Sequence, residues 1–172
     1  KEGAPPRLYD QAAQPSQQFT LRPLEAARAP SLIADISLDL SPTGYKALLV
    51  TDMLSGQIHR LRLTKSGTKA QKLVTARHPV KSLLHDLDDD GDLDLVVAEL
   101  GTFGAKDVDS GKVRVFQNNA KTFVGQDLLT GVGRVADVAV GDIDGDGLAD
   151  LIVAEFGWQK TGGLHVLSHR TM

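Results

Sequence analysis

Asp86, Asp88, Asp90 and Asp94 stand at the first, third, fifth and ninth places of one nonamer, and Asp142, Asp144, Asp146 and Asp150 stand at the same places of another. Each nonamer has a glycine at its sixth place, Gly91 and Gly147, where the chain must turn sharply and a Cβ would be costly. Alternating carboxylates on a tightly turning loop supply the oxygens that a hard cation such as calcium takes, about six to eight in a flexible shell. The expected ligands of the first loop are the side chains of Asp86, Asp88, Asp90 and Asp94 and the backbone carbonyl of Asp92. In the second they are Asp142, Asp144, Asp146 and Asp150 with the carbonyl of Leu148. Two Ca2+ sites follow. Leu87 and Ile143, at the second place, are expected to point away from the ion and anchor each loop to the core.

An EF-hand opens with the same Asp-x-Asp-x-Asp-Gly, but it needs a bidentate Glu at its twelfth loop position and a helix behind it. Val97 and Val153 occupy that position here, and the runs 95–98 and 151–154 read as short, apolar, β-branched strands. The other competitor is an Asp- and Gly-rich surface turn without metal. Two copies at equivalent points of a repeat weigh against it, and so does charge. The two loops hold ten of the chain's 22 acids, and like charges so crowded repel unless a cation neutralises them.

The repeat extends beyond the loops. Ten of sixteen positions are identical between residues 86–101 and 142–157. A damaged third copy lies upstream, where 47–53 matches the strands 94–100 and 150–156. Its loop starts at Asp39 and keeps Gly44, but Ser41, Thr43 and Ala47 replace three carboxylates, so the ion is expected to be lost there. Loop starts at 39, 86 and 142 give spacings of 47 and 56 residues, suited to a four-stranded unit. An apolar segment precedes each loop, at 31–38, 80–85 and 134–140. A glycine and an alternating strand follow, at 56–63, 111–117 and 162–168. Outer strands are expected at 70–75 and 122–129. No long amphipathic helix is visible, and the expectation is an all-β, antiparallel fold.

Asp-x-Asp-x-Asp-Gly-x-x-Asp-Leu-x-Val resembles the FG-GAP/VCBS repeat of integrin α-subunit propellers and many secreted bacterial proteins. The resemblance covers roughly residues 31–169, strongly in the second and third units. It implies that each unit is a β-propeller blade whose calcium loop joins its first two strands, and that the chain serves adhesion, ligand binding or assembly. Function follows poorly from such a fold. The units are expected at 31–78, 79–130 and 131–172, behind an extended or disordered segment 1–30 that holds a candidate strand at 18–22. Three blades make an incomplete ring, because closed propellers take about four to eight. Its bare edges are expected to be covered by a protein partner or by a second copy in a homo-oligomer.

Composition adds bounds. The chain has 172 residues, is 41% hydrophobic, and has no cysteine, so no disulfide can staple it. No apolar run is long enough for a transmembrane helix. The chain starts at Lys1, which leaves room for a removed presequence. Calcium at millimolar levels is an extracytoplasmic condition, so a periplasmic, cell-surface or secreted location is expected. Net charge is −3, yet outside the two loops 12 acids face 19 basic residues, a balance of +7. These charges are scattered, with no aromatic-interleaved patch, which argues against nucleic acid. Segment 1–18, rich in Pro, Gln and Ala, reads as a tail, or as a strap over a partner with Leu8 and Tyr9 as anchors.

Asp52, Glu99 and Glu155 end the inner strand of each unit, either lining a funnel or, as we favour, accepting hydrogen bonds from loop amides. His59, Arg114 and His165 coincide on the third strands, where a solvated face is favoured over a metal site. His85, before the first loop, reads as packing. Phe103, Phe156 and Trp158 follow the inner strands and would either pack between blades or form a glycan- or protein-binding surface. No nucleophile–base pair, His-Glu-x-x-His or phosphate loop is present. The expectation is therefore a non-enzymatic, calcium-binding accessory or interaction module, with a carbohydrate-binding module or the non-catalytic part of a polysaccharide-active enzyme as the alternative.

Overall fold

The computed structural model describes residues 31–39, 47–64, 67–104, 106, 108–120, 122–157 and 162–170. The expected N-terminal segment with its strand 18–22, the anchors Leu8 and Tyr9, the loop residues Ser41, Thr43 and Gly44, and Trp158 lie outside them.

Among the described residues, eleven strands build three antiparallel sheets, each from consecutive strands. The first holds β1 (Ile33–Asp39), β2 (Ala47–Asp52), β3 (Gln57–Thr64) and β4 (Gly67–Thr75). The second holds β5 (Pro79–His85), β6 (Asp94–Glu99), β7 (Gly111–Asn118) and β8 (Phe123–Val132). The third holds β9 (Arg134–Gly141), β10 (Asp150–Phe156) and β11 (Gly163–Leu167). The outer strands β4 and β8 are longer than the sequence suggests. Their apolar residues fall mostly in adjacent pairs, Leu73-Val74 in β4 and Phe123-Val124 and Leu128-Leu129 in β8, which hides their ends from a period-two pattern. The architecture is all-β and antiparallel, with sheets arranged as propeller-like blades of an incomplete ring.

Register makes the three sheets comparable residue by residue. Asp39 pairs with Ala47, His85 with Asp94, and Gly141 with Asp150. Each first-strand pairing also breaks at the same place, between Ile33 and Asp35, between Pro79 and Lys81, and opposite Ala154 and Glu155. A register shift repeated at one point of every sheet is a built feature of the repeat, as a conserved place for a β-bulge would be.

Successive side chains of a strand point to opposite faces, so each inner strand feeds two cores. Leu49, Ile58, Val74 and Ala76 of the first sheet and its exit pack against Leu95, Val97 and Phe116 of the second. Val96, Ala98, Val113 and Val115, from the other face of the second sheet, pack against Val135, Val138, Leu151 and Val153 of the third. Each fully buried side chain of this kind contributes about 1.5–3 kcal/mol. We call the face turned toward the next sheet forward and the opposite face rear.

Polar ties cross the first interface beside the apolar ones. Lys81 Nζ lies 3.0 Å from Asp35 Oδ1, Ser37 Oγ donates to the Ser82 carbonyl at 3.0 Å, and the Thr51 and Ser82 hydroxyls are 2.5 Å apart. Gly56 and Gly111 precede or begin the third strands for a steric reason. A Cβ on Gly56 would stand 2.5 Å from the Ala76 carbonyl oxygen, and one on Gly111 would run into the backbone of Gly133. Beside β11, a groove of about 320 Å³ opens between Gln126 and Leu128 of β8 and residues 167–170.

One expectation needs correction. Asp39 is not the first residue of a loop. It lies within β1, is buried, and sits 2.6 Å from Arg60 Nε of β3. The connection from β1 to β2 is residues 40–46, one residue shorter than 86–93 or 142–149. Counting back from the matching strands therefore misplaces Asp39 by one position.

Candidate metal centre

Loop 86–94 joins β5 to β6 and loop 142–150 joins β9 to β10, the first two strands of their sheets. Asp86, Asp88 and Asp90 bring carboxylate oxygens within 4.8 Å of one another, and Asp142, Asp144 and Asp146 do the same. The chain forms these clusters by turning each acid back on its own backbone, a habit of Asp side chains. Gly91 donates its amide to Asp86 Oδ2 at 3.0 Å, and Asp92 donates to Asp90 Oδ1 at 2.8 Å. In the second loop Gly145 and Gly147 donate to Asp142 at 2.7 and 3.0 Å. Asp146 donates to Asp144 at 3.2 Å, and Leu148 to Asp146 at 2.8 Å. Asp92 and Leu148 thus follow the turn with their amides tied to the preceding acids. Gly91 and Gly147 have φ of 90° and 88°, as a left-handed turn residue must. The fourth place is also left-handed, with φ 57° at Asp89 and 80° at Gly145.

Asp94 and Asp150 play a different part from the exposed acids. Both are buried. Asp94 accepts the Leu87 amide at 3.2 Å and the Asn118 amide at 2.8 Å, and Asp150 accepts those of Ile143 at 3.1 Å and His169 at 2.9 Å. Each therefore ties the start of its loop to the chain leaving the third strand. Burial pushes the Asp94 carboxyl above its ordinary value. The Asn118 and Leu87 amides pull it back, and the neighbouring Asp88 and Asp90 add to the rise.

The clusters fit a cation. Asp86 Oδ1 is shielded from solvent and has no hydrogen-bond partner in the protein. A desolvated carboxylate oxygen is costly unless a positive charge or a donor meets it. Aspartate clusters of this geometry could hold a metal ion through Asp86, Asp88 and Asp90 in one loop and Asp142, Asp144 and Asp146 in the other. Leu87 packs into the core between the second and third sheets as expected, but Ile143 is exposed, because no sheet among the described residues follows the third.

The strand-end acids accept amides in two units. Leu32, Leu54 and Ser55 donate to Asp52 Oδ1 at 3.1, 3.0 and 3.3 Å. Burial raises that carboxyl, and the hydrogen bonds from Leu32, Ser55 and Leu54 outweigh it, so the pKa falls below its ordinary value. Glu155 Oε1 accepts the Gly133 amide at 2.8 Å. Its other oxygen lies 2.7 Å from His165 Nε2, and Glu99 lies 3.7 Å from Arg114. Arg114 also stands 2.8 Å from Asp127 and over the Phe116 ring. Arg114 is therefore engaged in ion pairs and His165 is held against the Glu155 carboxylate, both on a half-exposed face. The cause is a diagonal across β6–β7 and β10–β11 that only register reveals. His85 is half-buried opposite Asp94. Phe103 and Phe156 are exposed, one tilted on His78 and the other under Arg134.

Residues 86–153 match the family model of the FG-GAP-like repeat. This segment is similar to an FG-GAP-like repeat. It spans both acidic loops, the strands β6 to β9 and the start of β10. No curated protein and no solved structure matches the chain. Among the described residues no helix is long and apolar enough to cross a membrane.

Proposed function

We propose that this chain is a non-enzymatic, calcium-binding FG-GAP-type module of the extracytoplasmic space, acting as an interaction or accessory subunit of a larger assembly. The observation that carries the calcium reading is the carboxylate triad repeated in two loops, with Asp86 Oδ1 shielded and unpartnered inside one of them. Oxygen-only ligands on a flexible loop suit a hard cation, and calcium tolerates the irregular shell such loops make. The bound ion would neutralise acids that otherwise repel one another, and so tie the first two strands of each sheet. Asp86, Asp88, Asp90, Asp142, Asp144 and Asp146 would hold the ions, with the Asp92 and Leu148 carbonyls completing the shells and Asp94 and Asp150 closing the loop bases.

A structural role for these acids leaves none of them as a general acid or base beside a nucleophile, which supports the non-catalytic reading. Loops of this class fill only where calcium is abundant, which supports an extracytoplasmic location. Exposed apolar residues on the outer faces of the first and third sheets support an interaction role. Titration calorimetry of calcium into chelator-stripped protein tests the metal claim. Two ions per chain are expected, with Asp86→Ala and Asp142→Ala each removing one. Absence of binding heat in the unsubstituted chain would refute it.

A further inference from the structure

The two outermost sheet faces are the two halves of one repeating interface. Ile58, Val113 and Leu164 occupy the same position of the third strand, opposite Thr51, Ala98 and Ala154. Ile58 and Val113 are 0% exposed because each faces the next sheet, whereas Leu164 is 76% exposed. Val166 repeats Val115 one step along the same face and is also exposed. The rear side shows the reverse. Leu38 repeats Leu84 and Val140, which pack into the two cores, yet Leu38 is 67% exposed. Ile36 repeats Ser82 and Val138, both buried, and is exposed as well.

We propose that a second copy of this chain covers these faces head to tail. The forward face of the third sheet of one copy seats on the rear face of the first sheet of the other, so that two copies of three sheets close one ring. Continuity with the interfaces inside the chain selects this pairing. Forward faces meet only rear faces there, twice over. A symmetric contact of third sheet on third sheet would set forward against forward, a match the chain never makes. Head-to-tail contacts close when their rotation does, and closure removes both open faces at once. This inference rests on the interaction-module reading and names its partner.

Charge gives the contact a signature. Asp35, Lys81 and Asp137 share one position of the first strand, by the same count from Asp39, His85 and Gly141. Inside the chain Asp35 meets Lys81 at 3.0 Å. At the contact between copies Asp137 would meet Asp35 of the second copy, an acid on an acid softened by Lys81. Asp137→Lys would recreate the pairing found inside the chain.

Sedimentation of the full chain with calcium tests this. The expected result is a species of twice the chain's mass, with Leu164→Asp and Leu38→Asp each reduced to monomer. Mixing those two variants is expected to restore a dimer, because one of the two contacts of the mixed ring carries neither substitution, and that rescue also shows both variants folded. Asp137→Lys is expected to tighten dimerisation roughly threefold to tenfold. A monomeric unsubstituted chain, a dimer that survives Leu38→Asp, or an Asp137→Lys chain that dimerises no better would overturn the proposal. A monomer that still binds two calcium ions would overturn only the second copy and leave the module reading intact.

Discussion

In loop 86–94, Leu87 packs between the second and third sheets and Asp86 Oδ1 is cut off from solvent, whereas in loop 142–150 Ile143 is exposed and both Asp142 oxygens accept glycine amides. The residues that shape the turn are the same in both. What differs is the sheet that follows. The third sheet closes over the first loop, and no described element closes over the second. The carboxylates and glycines shape both loops, and the next sheet covers the apolar anchor Leu87 of the first loop alone. A desolvated carboxylate oxygen is costly without a positive charge, so packing would favour a cation at the first loop.

The largest expected difference lies at the loop bases. Asp94→Ala leaves the Leu87 and Asn118 amides without acceptors under a packed sheet and should cost about 2–4 kcal/mol. Asp150→Ala breaks the equivalent bonds to Ile143 and His169 beside solvent and should cost about half as much. Denaturant unfolding of both variants checks this, and equal losses would mean that the covering sheet is irrelevant.

Asp39→Ala should cost about 1–2 kcal/mol by breaking the ion pair with Arg60, and the loss should be the same with and without calcium. Asp144→Ala should do the opposite, leaving the stripped protein's stability nearly unchanged and weakening calcium binding about tenfold or more. Melting curves in chelator and in calcium distinguish the two.

Protonation should also mark the first loop. The Asp94 carboxyl is raised when folded and metal-free, so its contribution is full below its unfolded value of about 3.8 and is lost as pH climbs through the raised value. In chelator, the stability of the unsubstituted chain relative to Asp94→Asn should therefore fall as pH rises through that range. Calcium should reverse the slope, since it binds the ionised acids. A flat difference in chelator would contradict the burial-driven shift.

The smallest effect should come from the fourth loop position. Asp89 holds a left-handed φ of 57° where the second loop has Gly145, so Asp89→Gly should stabilise the chelated protein by about 0.5 kcal/mol or leave it unchanged. A clear loss would show that the Asp89 side chain has work in the loop beyond its charge.

Much of this was legible in the sequence because its signals are local. Carboxylate spacing located both loops, apolar β-branched runs located the inner strands, and period-two alternation located the third strands within a few residues. The rest needed register or neighbours. Asp39 was misplaced because one residue is missing between β1 and β2, which no strand pattern records. The partners of Arg114 and His165 were not legible because Glu99 and Glu155 sit diagonally across a neighbouring strand. The contrast between Leu87 and Ile143, two apolar residues at one loop position, depends on which sheet lies beyond. Asp94, expected as a ligand, also closes the loop, a part that only its burial and its two amide partners show.

Thermal unfolding of the intact chain in calcium and in chelator decides whether calcium in these loops staples the sheets. At a hundredfold excess over the dissociation constant, each occupied site should add about 2.7 kcal/mol, so chelation should lower Tm by many degrees and calcium should restore it. Superimposable melting curves in the two conditions would contradict the account.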